Sequence, residues 1–360
     1  MSQEQAAATT APHVQLREIC IAHYRFQYLS TAFEFGLFAL LSQRPGLART
    51  EIAAGLGLAE QPARILLLGC TAFGMVRKDG DRYYNTELTQ SLAHNLDQFP
   101  AVFIPFYQHI TYRAMGWFGE SLKANTNVGL KKEFGAASTN LYSRVAGDPV
   151  LEGAFHNAMG ALSAHLSDEF VQTLDLSRYR HVLDIGGGTA VNAMNLVRRW
   201  PQLQITILDL PSVAKEANER VSAAGLGDRI RALGADALAD AFPSGSFDCV
   251  LFAHFLEIWS TDRIRAVLRK AAEVVDAGAG IFIVTPFQDD DETGPQNAAE
   301  LSAYFHAVAS GEGMVYTPRE FEAWMAEAGF ESSGRTFVNN LVDHIVISGV
   351  RTDHAVQKDE

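Results

Sequence analysis

The chain reads in two textures. In the first part, apolar positions recur at helical spacing. "LREICIAHYRFQYLSTAFEFGLFALL" predicts helix, broken at Gly36. "ARTEIAAGLGL" predicts a short helix capped by Thr50 and ending near Gly55, and "EQPARILLLGCTAFGMV" a second one started by Pro62. "MVRKDGDRYYNT" predicts two short strands turning at Asp79-Gly80. Helix, turn, helix and small hairpin make a winged-helix pattern. Residues 88–175 read as further helix, including "LEGAFHNAMGALSAHLSDEFVQTL". After Leu176, short apolar runs alternate with helical segments: "HVLDIG", "QITILDL", "IRALGAD", "FDCVLFAH" and "GIFIVTP". That alternation predicts a doubly wound, mainly parallel sheet covered by helices, an α/β class. "RTFVNNLVDHIVISGV" adds one or two strands as an edge hairpin.

These textures set the expected organisation. Residues 13–110 form a winged-helix domain, 111–175 a helical linker and pocket region, and 176–351 a Rossmann-like domain. Residues 1–12 and the tail from Thr352 read as disordered.

Composition narrows the function. With 360 residues, 48% of them hydrophobic, the chain can bury a large core. A net charge of −13 argues against general nucleic-acid binding, which needs excess Lys and Arg. "EQPARILLLGCTAFGMV" is too apolar to be a recognition helix, which disfavours a winged-helix regulator. Cys20, Cys70 and Cys249 are far apart in apolar contexts and read as reduced core residues. No leader pattern and no run of membrane-spanning length is present, so a cytoplasmic protein with no membrane partner is expected. The acidic run "FQDDDETGP" reads as a solvated loop.

The chemistry concentrates at predicted strand ends. "VLDIGGGTAVNAMNLVRR" is strand, glycine turn and helix, in which Gly186, Gly187 and Gly188 permit a sharp turn and close ligand approach. It is not the GxGxxG pattern, since Val191 stands three residues after Gly188. The second strand ends in Asp209, about 20 residues on, where an acid accepts from a ribose diol or caps the next helix. The third ends in "GAD", with Asp236 placed for an adenine amino group. Ligands of open α/β sheets sit at these carboxyl ends, which suggests a nucleoside-containing cofactor.

The stretch from Val182 to Pro286 resembles a class I S-adenosylmethionine-dependent methyltransferase. "VLDIGGGTA", "ITILDLPSV" and "FDCVLFAHFLEIWS" together resemble the caffeate and acetylserotonin O-methyltransferase-like family, many of whose members serve bacterial secondary metabolism. The resemblance implies an N-terminal winged-helix dimerisation domain, hence a homodimer acting on a small-molecule substrate. It also implies cofactor contacts at Asp184, Gly186, Gly188, Asp209, Asp236 and Ala237. By the same resemblance, Phe155, Met159 and Ser163, in "FHNAMGALS", face the substrate and the cofactor's methionine end; ordinary helix core is the competing reading.

The resemblance breaks at "LFAHFLEIWS". Family O-methyltransferases carry an "LHDW"-like sequence there, whose His is the general base. Glu257 holds that position, and His254 stands i−3 from it, on the same face if a helical turn begins at the strand end. By resemblance, the helix bearing His306 lines the pocket opposite Glu257. Two imidazoles and a carboxylate suit a divalent metal such as Fe or Zn with open positions. Some members of the wider family use such a metal to methylate the carbon beside the ketone of an α-keto acid, which a Lewis acid would favour by stabilising the enolate. The expectation is therefore metal-assisted C-methylation by His254, Glu257 and His306. Against it stand O-methylation of a phenolic or carboxylic metabolite with Glu257 as base, and a homologue that binds the cofactor without transferring methyl. No partner is assigned to His344.

Overall fold

The computed structural model describes residues 11–94, 101–135, 140–145, 148–338 and 343–353. Most of the two tails expected to be disordered lies outside the described residues. The chain divides into two compact units, Met1–His109 and Ile110–Glu360.

In the first unit, helices Pro12–Glu34 and Leu37–Gln43 are separated at Gly36, whose φ of 75° a side chain rarely adopts. Helices Arg49–Leu56 and Glu60–Ala72 follow. Thr50 is not the cap expected of it. It lies inside the helix, and Glu51 does the capping, its Oε2 accepting from Ala48 N at 2.8 Å. Strands β1 (Leu47–Ala48), β2 (Val76–Asp79) and β3 (Arg82–Asn85) form an antiparallel sheet in the order β1-β3-β2. Leu37, Phe38, Ile52, Leu67 and Cys70 close the core, and burial pushes the Cys70 thiol up to about 12. Cys20, expected in a core, is exposed. Leu16, Ile19, Ile65 and Leu68 are exposed too, leaving apolar helix surface uncovered on the single chain.

The second unit is built on seven strands: β4 (His181–Ile185), β5 (Gln204–Asp209), β6 (Ile230–Gly234), β7 (Phe247–Ala253), β8 (Val275–Pro286), β9 (Phe330–Val338) and β10 (His344–Arg351). Their order is β6-β5-β4-β7-β8-β10-β9. The first five run parallel; β10 pairs antiparallel with both β8 and β9. The central strands are apolar on both sides because each side carries its own core. Val182, Leu251 and Phe282 belong to one, Leu183, Val250 and Ile283 to the other.

Register brings the chemistry to one pole. Ile185 pairs with Leu208 and Phe252, Asp209 with Gly234, and Ala253 with Val284. The glycine turn, Asp209, Asp236 and His254 therefore leave neighbouring strands at the same carboxyl edge. The acidic run is less free than a solvated loop. Asp290 pairs with Arg335 of β9 at 2.6 Å, which holds its carboxyl below the usual range against the opposing effect of partial burial. No helix among the described residues is long and apolar enough to cross a membrane.

Candidate active site

The glycine turn is a cradle shaped by what lies beneath it. Gly186 and Gly188 take φ values of 73° and 58°. A Cβ on Gly186 would collide with the ring of Phe255, and one on Gly187 with the carboxylate of Asp184. The loop thus lies closer to its floor than any larger residue allows. Gly188 N donates to Asp209 Oδ2 at 2.8 Å, and Leu210 N to Oδ1 at 2.7 Å. Each Asp209 oxygen keeps a second acceptor site. Asp236 Oδ1 accepts from Leu238 N at 2.9 Å, beside buried Ala237.

Asp184 has the most unusual environment of the group. It is 1% exposed, and neither carboxylate oxygen has a hydrogen-bond partner among the described residues. Burial first, and the nearby Asp209 charge second, push its carboxyl up to about 7. A buried acid without a donor is costly. A cationic group arriving above the glycine turn would supply the missing partner. The cradle, the ribose-type acceptor and this orphaned acid fit a nucleoside cofactor that also carries an ammonium group.

His254 follows the last residue of β7 with φ of 55°, a left-handed conformation uncommon for a side chain-bearing residue. Its N–H donates to Val284 O at 2.9 Å. The chain then makes one 3₁₀ turn, Leu256–Ile258, which folds Glu257 back beneath His254. His254 Nδ1 stands 3.6 Å from Glu257 Oε1, and the side chains are 34% and 3% exposed. Glu257 Oε2 is buried with no partner among the described residues. The backbone of this turn is seated against Gly313, where a Cβ would overlap Glu257 O and the Ile258 backbone.

His306, on helix Gln296–Ala307, is engaged elsewhere. Its Nε2 donates to the carbonyl of Ser121 at 3.2 Å. His344, the first residue of β10, meets His254 instead, with ring centroids 4.6 Å apart and planes at 79°. Burial first, and then His254, hold its imidazole well below the ordinary value, so it is neutral. Helix Pro149–Thr173 is capped by Asp148, whose Oδ1 accepts from Val150 N at 3.1 Å. On it Phe155 is buried and Met159 half-buried, while the side chain of Ser163 lies outside the described residues. A groove of about 260 Å³, lined by His181, Thr206, Arg229 and Arg231, opens at the opposite, amino ends of the strands. Its arginines are already engaged, Arg229 to Val197 O at 2.7 Å and Arg231 to Thr206 Oγ1 at 3.1 Å.

Family models place this geometry. Residues 119–331 match the O-methyltransferase domain and residues 18–95 the O-methyltransferase dimerisation domain. The chain belongs to the O-methyltransferase family. It is an S-adenosylmethionine-dependent methyltransferase of secondary metabolites, and its dimerisation domain supports a homodimer. The chain is 38% identical to the L-tyrosine C(3)-methyltransferase of Streptomyces lavendulae, over 85% of this chain and 83% of that one. It is 31% identical to the 3-hydroxy-5-methyl-1-naphthoate 3-O-methyltransferase of Streptomyces sahachiroi, over 87% and 88%. The structure of the S-adenosylmethionine-dependent methyltransferase SibL superposes with a TM-score of 0.80 at 36% identity, covering 94% of this chain and 99% of that one. The relatives thus include both carbon and oxygen methylation.

The expected metal triad is not brought together among the described residues. The methyltransferase brings His254 and Glu257 together, but His306 spends its Nε2 proton on Ser121 O. No group of three His, Cys, Asp or Glu among the described residues is arranged to hold a metal. Among the described residues these donors do not assemble into a metal site. His344 was missed. Its only sequence signal is a histidine opening an apolar strand, "HIVISG".

Proposed function

We propose that this methyltransferase methylates a phenolic amino acid of the tyrosine type on the ring carbon next to the hydroxyl. His254 is the general base and Glu257 the carboxylate that orients it. The observation that carries the assignment is the opposite exposure of the two side chains, 34% for His254 and 3% for Glu257, across 3.6 Å. The imidazole is open at the pole where ligands bind; the carboxylate is sealed beneath it. A buried acid facing Nδ1 favours the tautomer with its proton there, leaving Nε2 to accept one from a substrate. It also stabilises the imidazolium that results. The contact is longer than a hydrogen bond and needs only a small closure in the loaded enzyme.

The cofactor, when bound, supplies an electrophilic methyl carbon on a sulfonium. Gly186 and Gly188 would let its chain approach the backbone, Asp209 would accept from the ribose hydroxyls, and Asp236 with Ala237 would hold the adenine. Asp184 would take the ammonium group. Phe155, Met159 and Ser163 would supply the substrate-side wall. His254 removes the phenol proton, which spreads negative charge onto the neighbouring ring carbon. That carbon would bond the methyl group as the methyl–sulfur bond breaks and the sulfonium leaves as a neutral thioether. The carbon's own hydrogen would then leave as a proton, restoring the aromatic ring, and the His254 imidazolium would return its proton to the phenolate oxygen.

The tyrosine-methylating relative supports the carbon acceptor. The naphthoate relative favours a second reading, O-methylation of a phenol with the same base. Metal-assisted methylation of an α-keto acid lacks its third ligand. The test is turnover of L-tyrosine and simple phenols in excess chelator. Wild type should retain its rate, and His254→Gln should lose on the order of 10²- to 10⁴-fold in kcat. Undiminished turnover by His254→Gln would remove His254 as base.

A further inference from the structure

We propose that His344 is a positioning residue for the methyl-transfer base, packing edge-to-face on His254 and holding that ring with Nδ1 toward Glu257. The inference rests on the reading of His254 as base.

The need for such a residue follows from how loosely His254 is otherwise held. It has left the sheet ladder, retaining its N–H bond to Val284 O, and its side chain is one-third exposed. The 3.6 Å separation from Glu257 Oε1 is too long for a hydrogen bond to fix the ring. A carboxylate attracts one edge of an imidazole but leaves it free to pivot about that edge. A second contact from another direction removes the pivot.

His344 supplies that contact from a rigid base. It is 4% exposed, and its backbone is fixed on both sides, opposite Pro286 of β8 and Val338 of β9. The ring centroids are 4.6 Å apart with planes at 79°, the arrangement aromatic rings prefer. Among the described residues, His254 from the end of β7 is a titratable group that meets it. Burial and the approach of His254 keep His344 neutral, so it holds its neighbour without taking the substrate's proton.

Three variants and one spectroscopic readout test this. His344→Ala should lower kcat on the order of 10²-fold, as misplacement of a base does, with the Kd for S-adenosylmethionine unchanged. His344→Phe should restore most of that loss, because a flat ring is what the position supplies. If the Ala variant does not fold, His344→Leu, which fills space without a flat ring, takes its place. In the resting enzyme with labelled histidine, the ring protons of His254 should shift when the His344 ring is removed. That readout does not depend on His254 being the base. Unchanged His254 resonances and unchanged kcat in His344→Ala would overturn the positioning role even where His254→Gln is inactive. A Phe variant as impaired as Ala would also overturn it. Shifted resonances with an active His254→Gln would instead overturn the base assignment and, with it, the catalytic consequence of the packing.

Discussion

His254 and Glu257 lie three residues apart in sequence and 3.6 Å apart at Nδ1 and Oε1, one open and the other sealed. The pairing depends on a left-handed residue. A strand that continued past Ala253 would send the two side chains in different directions. The φ of 55° at His254 ends the strand and lets the 3₁₀ turn fold Glu257 back. Strain of this kind, on the order of 1–3 kcal/mol, persists where function requires the geometry.

His254→Gly should therefore separate stability from activity. Glycine adopts the left-handed conformation without strain but loses the imidazole and gains freedom in the unfolded chain. Thermal or denaturant unfolding should change by no more than about 1 kcal/mol, while methyl transfer falls to the level of His254→Gln. Destabilisation well beyond that figure would show that the position is not strained.

Asp184 makes cofactor binding depend on pH. Its folded value of about 7 lies above the ordinary 3.8. The unbound protein therefore gains stability from this group below the ordinary value and loses it as pH rises through about 7. The full displacement corresponds to roughly 4 kcal/mol. Asp184→Asn should flatten that slope in unfolding measured from pH 4.5 to 8. Pairing with the ammonium group of S-adenosylmethionine should restore the carboxylate and release up to one proton near pH 6.5. Calorimetry in buffers of different ionisation enthalpy measures that release. Cofactor binding without proton release would contradict the assignment.

Asp209 is predicted to serve the loop and the cofactor together. In Asp209→Asn, the amide NH₂ would face one of the two backbone N–H groups that now donate to the carboxylate. Affinity for S-adenosylmethionine should fall by about 1.5–3 kcal/mol, with kcat at saturation little changed. Titration calorimetry showing equal affinity would remove Asp209 from the site.

Much of this was legible in the sequence because it is local. The glycine turn, Asp209 and Asp236 each sit at the end of an apolar run, and alternating strands and helices place such ends at one pole. The doubly wound sheet followed from the same pattern. His254 and Glu257 were legible as a pair because one turn joins them. The third partner was not. His344 reaches His254 because β10 enters the sheet between β8 and β9, out of chain order. No spacing in "HIVISG" reveals that insertion. His306 was assigned by resemblance, but which side of a helix faces a pocket depends on its packing, and here its Nε2 meets Ser121 O. Cys20 had an apolar context yet lies on the exposed side of its helix.

The position of the transferred methyl distinguishes carbon from oxygen methylation. The methyltransferase is incubated with L-tyrosine and S-adenosylmethionine labelled with ¹³C in the methyl group, in the presence of chelator, and the product is read by NMR. A single aryl-methyl carbon should appear on the ring position next to the hydroxyl, formed on the order of 10²- to 10⁴-fold more slowly with His254→Gln. An aryl-methoxy signal would contradict carbon methylation while leaving the base in place. No labelled phenol, alongside metal-dependent labelling of an α-keto acid beside its ketone, would contradict both the phenolic substrate and His254 as its base.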